Sequence, residues 1–128
     1  MLTGEGPVFQ LLAAKLADDI INGSYPEESP VPSAIDFAAF YRMNPATASK
    51  GVNVLVDLGA LYKRRGIGMF VAPDARNLLL KKRREDFERS FIHPLMDEAH
   101  VLGLSRAELH GLIDQTQLRT PTKEGPRE

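Results

Sequence analysis

No cysteine occurs among the 128 residues. That excludes a disulfide framework, a thiolate metal site and a cysteine nucleophile, and it fits a reducing compartment. No apolar run approaches the roughly 18 residues needed to cross a bilayer. Met1-Leu2-Thr3-Gly4-Glu5 lacks the basic start and apolar core of a secretion signal. A soluble, cytoplasmic protein without a membrane partner is therefore expected. The sequence has no G-x-x-x-x-G-K-[ST], no H-E-x-x-H and no G-x-S-x-G. With the usual marks of catalysis missing, a non-enzyme is expected, and no cofactor is implied. There is no internal repeat. What is present is ordinary: 43% hydrophobic and 26% charged residues describe a chain able to fold. Its length allows one domain, or a small domain with an appendage.

A strong net charge is also lacking, since the formal balance is −1. The distribution is less even. Residues 1–41 hold one lysine and six carboxylates, for −5. Residues 42–84 hold ten Lys/Arg and two carboxylates, for +8. Residues 85–128 return to −4. A basic centre between acidic flanks can present a positive face to a polyanion while the whole stays near neutral. A charge run alone also describes ordinary solvated surface.

Apolar spacing predicts a first helix from Pro7 to Asn22, with Phe9, Leu12, Ala13, Leu16 and Ile20 on one face. Pro7 suits the first turn, and Gly23 stands where a helix-ending glycine would. The proline-rich stretch Ser24–Pro32 reads as a loop. Ser33, with Asp36 three residues on, forms a capping box for a second short helix through Ile35, Phe37, Ala38 and Phe40. Arg42-Met43-Asn44 is a tight connection. Asn44 and Pro45 then make a cap and first turn for a third helix ending at Gly59. Its inward set is Ala48, Val52, Leu55 and Val56 or Leu58; its outward set includes Thr47, Ser49, Lys50 and Asn53. Gly51 weakens this helix by roughly 1 kcal/mol if exposed. Two strands follow, Leu61–Arg64 and Met69–Val71, joined through Gly66 and Gly68.

Helix, helix, tight turn, helix and glycine-tipped hairpin make a winged helix-turn-helix. The third helix offers short polar side chains to base edges in a major groove. The basic hairpin, with Lys63, Arg64 and Arg65, can grip phosphates or enter the minor groove. The most basic segment of the chain coincides with this unit. Beyond Ala75 a longer helix carries Phe87, Phe91, Leu95, Met96, Ala99 and Leu102 on its apolar side, and Pro94 should kink or split it near His93. Gly103 ends it. Ser105 and Glu108 box the start of a last helix with Leu109, Leu112 and Ile113 inside.

Several stretches resemble the GntR family of bacterial transcription regulators. They are Pro7-Val8-Phe9-Gln10, Val31-Pro32-Ser33, Asn44-Pro45-Ala46-Thr47-Ala48-Ser49-Lys50, Leu58-Gly59-Ala60-Leu61 and Arg65-Gly66-Ile67-Gly68-Met69-Phe70-Val71. They occur in the family's order over about residues 7–72. The segment beyond the wing is too short for the large effector domains of most GntR branches. Two helices after the wing, around Gly103-Leu104-Ser105, resemble the YtrA subfamily, whose helical tail serves dimerisation. The resemblance implies DNA contacts from Ser33, Arg42, Asn44, Thr47, Ser49, Lys50, Arg64, Arg65, Gly66 and Gly68; Asn53 and Lys63 join them from their exposed positions. Ser33 and Asn44 also read as mere caps, and Arg65 as a brace of the hairpin. The family usually has Arg where this chain has Ile35, and that Arg commonly helps contact DNA, so the usual operator consensus does not carry over to this chain.

The expected fold class is mainly α with a small β-hairpin. Residues 1–73 form the DNA-binding domain, 74–115 a two-helix dimerisation segment and 116–128 a disordered tail. The dimer interface comprises Phe87, Phe91, Leu95, Met96, Leu109, Leu112 and Ile113. The expected function is repression, by a homodimer on a pseudo-palindromic double-stranded operator, with release by an unknown small effector. One alternative is a winged-helix protein-interaction module, which would have no need of Lys50 beside a basic wing. The other is a metal-responsive regulator, because His93, Asp97 and His100 are spaced i, i+4, i+7.

Overall fold

The computed structural model describes Leu2, Gly4 and residues 6–118. Its elements are α1 (Val8–Ile21), β1 (Pro30–Val31), α2 (Ala34–Tyr41), α3 (Pro45–Leu58), β2 (Leu61–Arg64), β3 (Gly68–Val71), α4 (Ala75–Phe87), a π-helical turn (Glu88–Ile92), α5 (His93–Val101) and α6 (Arg106–Gln115). They divide into two compact units, Met1–Glu85 and Asp86–Glu128.

In the first unit α1 buries Leu12, Ala13, Leu16 and Ile20. Pro7 sits one position earlier than the first turn, as the extended N-cap residue. The boxed start of α2 and the capped start of α3 form as their sequences require. The Ser33 hydroxyl accepts the Asp36 N–H at 3.0 Å, and the Asp36 carboxylate accepts the Ser33 N–H at 3.3 Å. The Asn44 side-chain oxygen accepts the Ala46 N–H at 2.7 Å, with Pro45 opening α3. Helix α3 buries Ala48, Val52 and Leu55, while Val56 and Leu58 are half-buried. Gly51 is buried as well, and a Cβ there would stand 2.8 Å from the Phe9 carbonyl oxygen. The position is therefore a close-approach point between α1 and α3, and the exposed-glycine penalty does not apply to it.

Strands β2 and β3 pair antiparallel with Tyr62 opposite Phe70 and Arg64 opposite Gly68. The pattern reading missed β1, which pairs antiparallel to β3 and makes a three-stranded sheet in the order β1-β3-β2. Two residues, one of them proline, carry no period, and proline is tolerated there because the strand lies at the sheet edge. The core joins α1, α2, α3 and the sheet with Ala75 and Leu79 of α4.

In the second unit the disturbance expected from Pro94 takes the form of the π turn. The His93 N–H reaches back to the Glu88 carbonyl, and Pro94 sits in the first turn of α5. Gly103 adopts a φ of 71° after α5. Ser105 and Glu108 box the start of α6, with Glu108 accepting the Ser105 N–H at 2.8 Å. Only Ala99 and Leu109 are buried in this unit among the described residues. Leu112 and Ile113, expected inside, are 49% and 53% exposed. Two short helices have too little facing surface to cover both sides of α6. Thr116 to Leu118 are non-helical, and the rest of the expected disordered tail lies outside the described residues.

Candidate nucleic-acid interface

The turn between α2 and α3 is closed by the Met43 N–H donating to the Ala38 carbonyl at 2.9 Å. Arg42 makes the turn with φ 55° and ψ 52°, a left-handed conformation that costs a non-glycine residue free energy. Its side chain is exposed beside the start of α3. Ser33 and Asn44 are both occupied as caps, so their oxygens satisfy backbone N–H groups. Along α3, Ser49, Lys50 and Asn53 are exposed and Thr47 is half-buried. The Lys50 ammonium lies 4.2 Å from the centre of the Phe9 ring. A cation over an aromatic face is held there by the ring quadrupole, so α1 steadies the one lysine of α3. The sequence contained that pair but no periodicity linking Phe9 to Lys50.

On the hairpin, Lys63, Arg65, Gly66 and Gly68 are exposed. A Cβ at Gly66 or Gly68 would meet nothing within 4 Å. Both have positive φ, 76° and 144°, which is why glycine belongs in this turn. Arg42, Lys63 and Arg65 make no ion pair with a described residue. Arg64 differs. Its Nε and Nη2 donate to the Tyr62 hydroxyl at 3.1 and 2.7 Å, and Nη2 also reaches Glu28 at 3.2 Å. The guanidinium lies 4.0 Å from the Phe70 ring centre. Its pKa is raised further, first by the Tyr62 hydrogen bond and also by Glu28. The Tyr62 hydroxyl in turn donates to Glu28. Arg64 thus ties the wing to the loop before β1. Tyr62 and Arg64, two apart on one strand, share a face; Glu28 lies too far along the chain for any spacing rule to find it.

Two cations of the second basic run are answered by acids. Lys81 pairs with Glu85 at 2.8 Å, and Arg83 with Asp18 of α1. In the second unit His93, Asp97 and His100 are exposed, and no group of three metal-ligating side chains forms among the described residues. His93 faces Glu88 instead, at 3.5 Å. Of the expected interface residues, Phe87, Phe91, Leu95, Leu112 and Ile113 are exposed, Met96 is half-buried and Leu109 is buried. No described helix is long and apolar enough to cross a membrane.

Three helices with a tight α2–α3 turn, followed by a basic glycine-tipped hairpin, define a winged helix-turn-helix protein. Comparison with known proteins carries this further. A putative transcriptional regulator of the GntR family from Bacteroides thetaiotaomicron superposes with a TM-score of 0.69 at 29% identity, over 84% of this chain and 94% of that one. BusR of S. agalactiae, solved in complex with its busAB-promotor DNA, superposes with a TM-score of 0.57 at 25% identity, over 95% of this chain and 62% of BusR. The HTH-type transcriptional regulator GmuR of Bacillus subtilis (strain 168) is 22% identical over 120 residues, which are 91% of this chain and 45% of GmuR. The chain thus spans about half the length of that curated relative. No protein-family model matches it. The likeness to GntR-family regulators read from the motifs holds in the fold of nearly the whole chain.

Proposed function

We propose that this protein is a DNA-binding transcription regulator of the GntR type. It works as a homodimer that represses by occupying a pseudo-palindromic operator, and a small effector is the natural means of release. The observation that carries the reading is the exposed polar face of α3 beside a hairpin whose Lys63 and Arg65 are exposed and make no ion pair with a described residue, whereas Lys81 and Arg83 of the second basic run are answered by Glu85 and Asp18. Unpaired cations next to hydrogen-bonding side chains suit phosphates beside base edges. BusR, of similar fold, is seen on promoter DNA. A cytoplasmic location follows from this role.

Homodimerisation is supported by the second unit. The Phe87 and Phe91 rings lie 5.8 Å apart, tilted by 41°, and are 54% and 62% exposed, an apolar stripe that a lone chain leaves in water. The short helical segment after the wing is also what supports placement near the YtrA subfamily. A two-fold dimer would set two copies of α3 against two half-sites. Selection of DNA from a random pool by the purified chain tests the reading. Recovery of an inverted repeat is the expected result; recovery of no preferred sequence would sink it.

A further inference from the structure

The wing loop holds a side chain that neither the charge pattern nor the fold uses. Arg64 pairs with Gly68, leaving Arg65, Gly66 and Ile67 as the loop. The Ile67 N–H closes the turn onto the Arg64 carbonyl at 2.9 Å. Ile67 is 72% exposed. It sits between two glycines at which an added Cβ would meet nothing within 4 Å, and Lys63 and Arg65 of the same hairpin are exposed and make no ion pair with a described residue. A β-branched apolar residue there cannot reach its own core, and its cationic neighbours attract a polyanion. The polyanion with an apolar recess between two rows of phosphates is the DNA minor groove, whose walls are deoxyribose. Isoleucine is among the side chains that enter it.

We infer that Ile67 is a specificity-determining contact of the wing: it packs into the minor groove beside the operator half-site and rejects guanine there. This role rests on the DNA-binding function proposed for the chain. The floor of the minor groove shows only acceptors at A·T pairs, whereas guanine adds its 2-amino donor. An isoleucine side chain has no acceptor. Laid over A·T it makes van der Waals contact with a smooth floor. Laid over G·C it strips water from an amino group that it cannot satisfy. Arg65 and Lys63 then hold phosphates on either side, and these contacts position without selecting.

The test uses the full chain and the operator recovered by selection. In that operator, the A·T pairs flanking the half-site are replaced by G·C and then by inosine·C. Inosine lacks the 2-amino group but keeps the major-groove face of guanine. The expected result is about a tenfold loss of affinity with G·C, the size of a modest mismatch, and recovery with inosine·C. Ile67→Ala should flatten the difference between A·T and G·C while keeping preference at the positions read by α3. Ile67→Thr, which adds a hydroxyl acceptor, should reduce the G·C penalty as well. Equal weakening by G·C and inosine·C, or full A·T preference in Ile67→Ala, would overturn the inference while leaving operator binding intact. A chain that selects no DNA fails the DNA-binding reading itself and takes this inference with it.

Discussion

The two units handle their apolar residues in opposite ways. In the first, Leu12, Leu16, Leu55 and Leu61 are each at most 2% exposed, and α1, α2, α3 and the sheet close on one another. In the second, Ala99 and Leu109 are the buried residues among those described, while Phe87, Phe91, Val101, Leu102 and Ile113 stand more than half exposed. The contrast shows which part is built to be complete alone. Burying a large apolar side chain contributes about 1.5–3 kcal/mol, and the second unit forgoes this at several positions. The π turn contributes to the arrangement. Each four-residue step along an α-helix overshoots a full turn by about 40°. The slower winding of the π turn between Phe87 and Phe91, whose ring centres lie 5.8 Å apart, takes back part of that drift.

The strongest way to break this contrast is to remove the open stripe. The pair of changes Phe87→Glu and Phe91→Glu should convert the proposed dimer to a monomer by sedimentation while the winged unit keeps its thermal transition. Operator affinity should fall more than about 100-fold, since two linked half-site contacts lose their effective concentration. A variant that stays dimeric would place the interface elsewhere.

The reverse experiment attacks the closed unit. Leu16→Ala should cost about 2–5 kcal/mol, the usual penalty for emptying a core leucine site. Gly51→Ala should cost about 1–3 kcal/mol by overpacking, because its new Cβ meets the Phe9 carbonyl, a backbone atom that cannot swing aside. Denaturant titration checks both. Stabilisation by Gly51→Ala, as helix propensity alone would give, would show that α1 and α3 can separate at little cost.

That glycine marks where the sequence stops being legible. Caps, turns and helix faces were readable because they are local: Ser33 with Asp36, Asn44 with Pro45, and Ser105 with Glu108 satisfy backbone groups within one turn. The wing was readable from Gly66 and Gly68. Contacts between distant elements were not. Phe9 beneath Lys50, the approach at Gly51 and Glu28 at Arg64 depend on how helices and loops cross. Strand β1 is too short to show a period. Leu112 and Ile113 kept the helical spacing of an inner face, and spacing does not say whether that face is covered by the same chain.

Within the wing, the comparison between paired and unpaired cations sharpens into a salt experiment. Arg65→Ala should reduce the slope of log affinity against log salt by about 0.9 for each phosphate no longer neutralised. Arg64→Ala should change the slope less, because its charge is already answered by Glu28 at 3.2 Å; it should weaken binding by loosening the hairpin. Glu28→Gln should then steepen the slope by releasing the guanidinium. If Arg64→Ala lowered the slope as much as Arg65→Ala, the Glu28 pair would have to open on DNA.

The smallest effect compares the two capping boxes, one in each unit. That of α2 is backed by Phe37 and Ala38 in the core, whereas that of α6 is backed only by Leu109. Helix α6 should therefore depend more on its cap. The backbone and side chain of Ser105 hold the Glu108 carboxyl below its ordinary pKa. A depressed carboxylate pKa stabilises the folded helix above the ordinary carboxylate range, and this contribution is lost as pH falls through the folded value. Protection of the α6 amides, taken relative to their intrinsic exchange rate at each pH, should fall on acidification through the folded value. At neutral pH, Ser105→Ala should speed α6 exchange by about fivefold, the scale of one lost cap. Ser33→Ala should change α2 exchange less, because packing holds that helix in place. Equal sensitivity of the two helices would mean that a partner surface covers α6 as fully as the core covers α2.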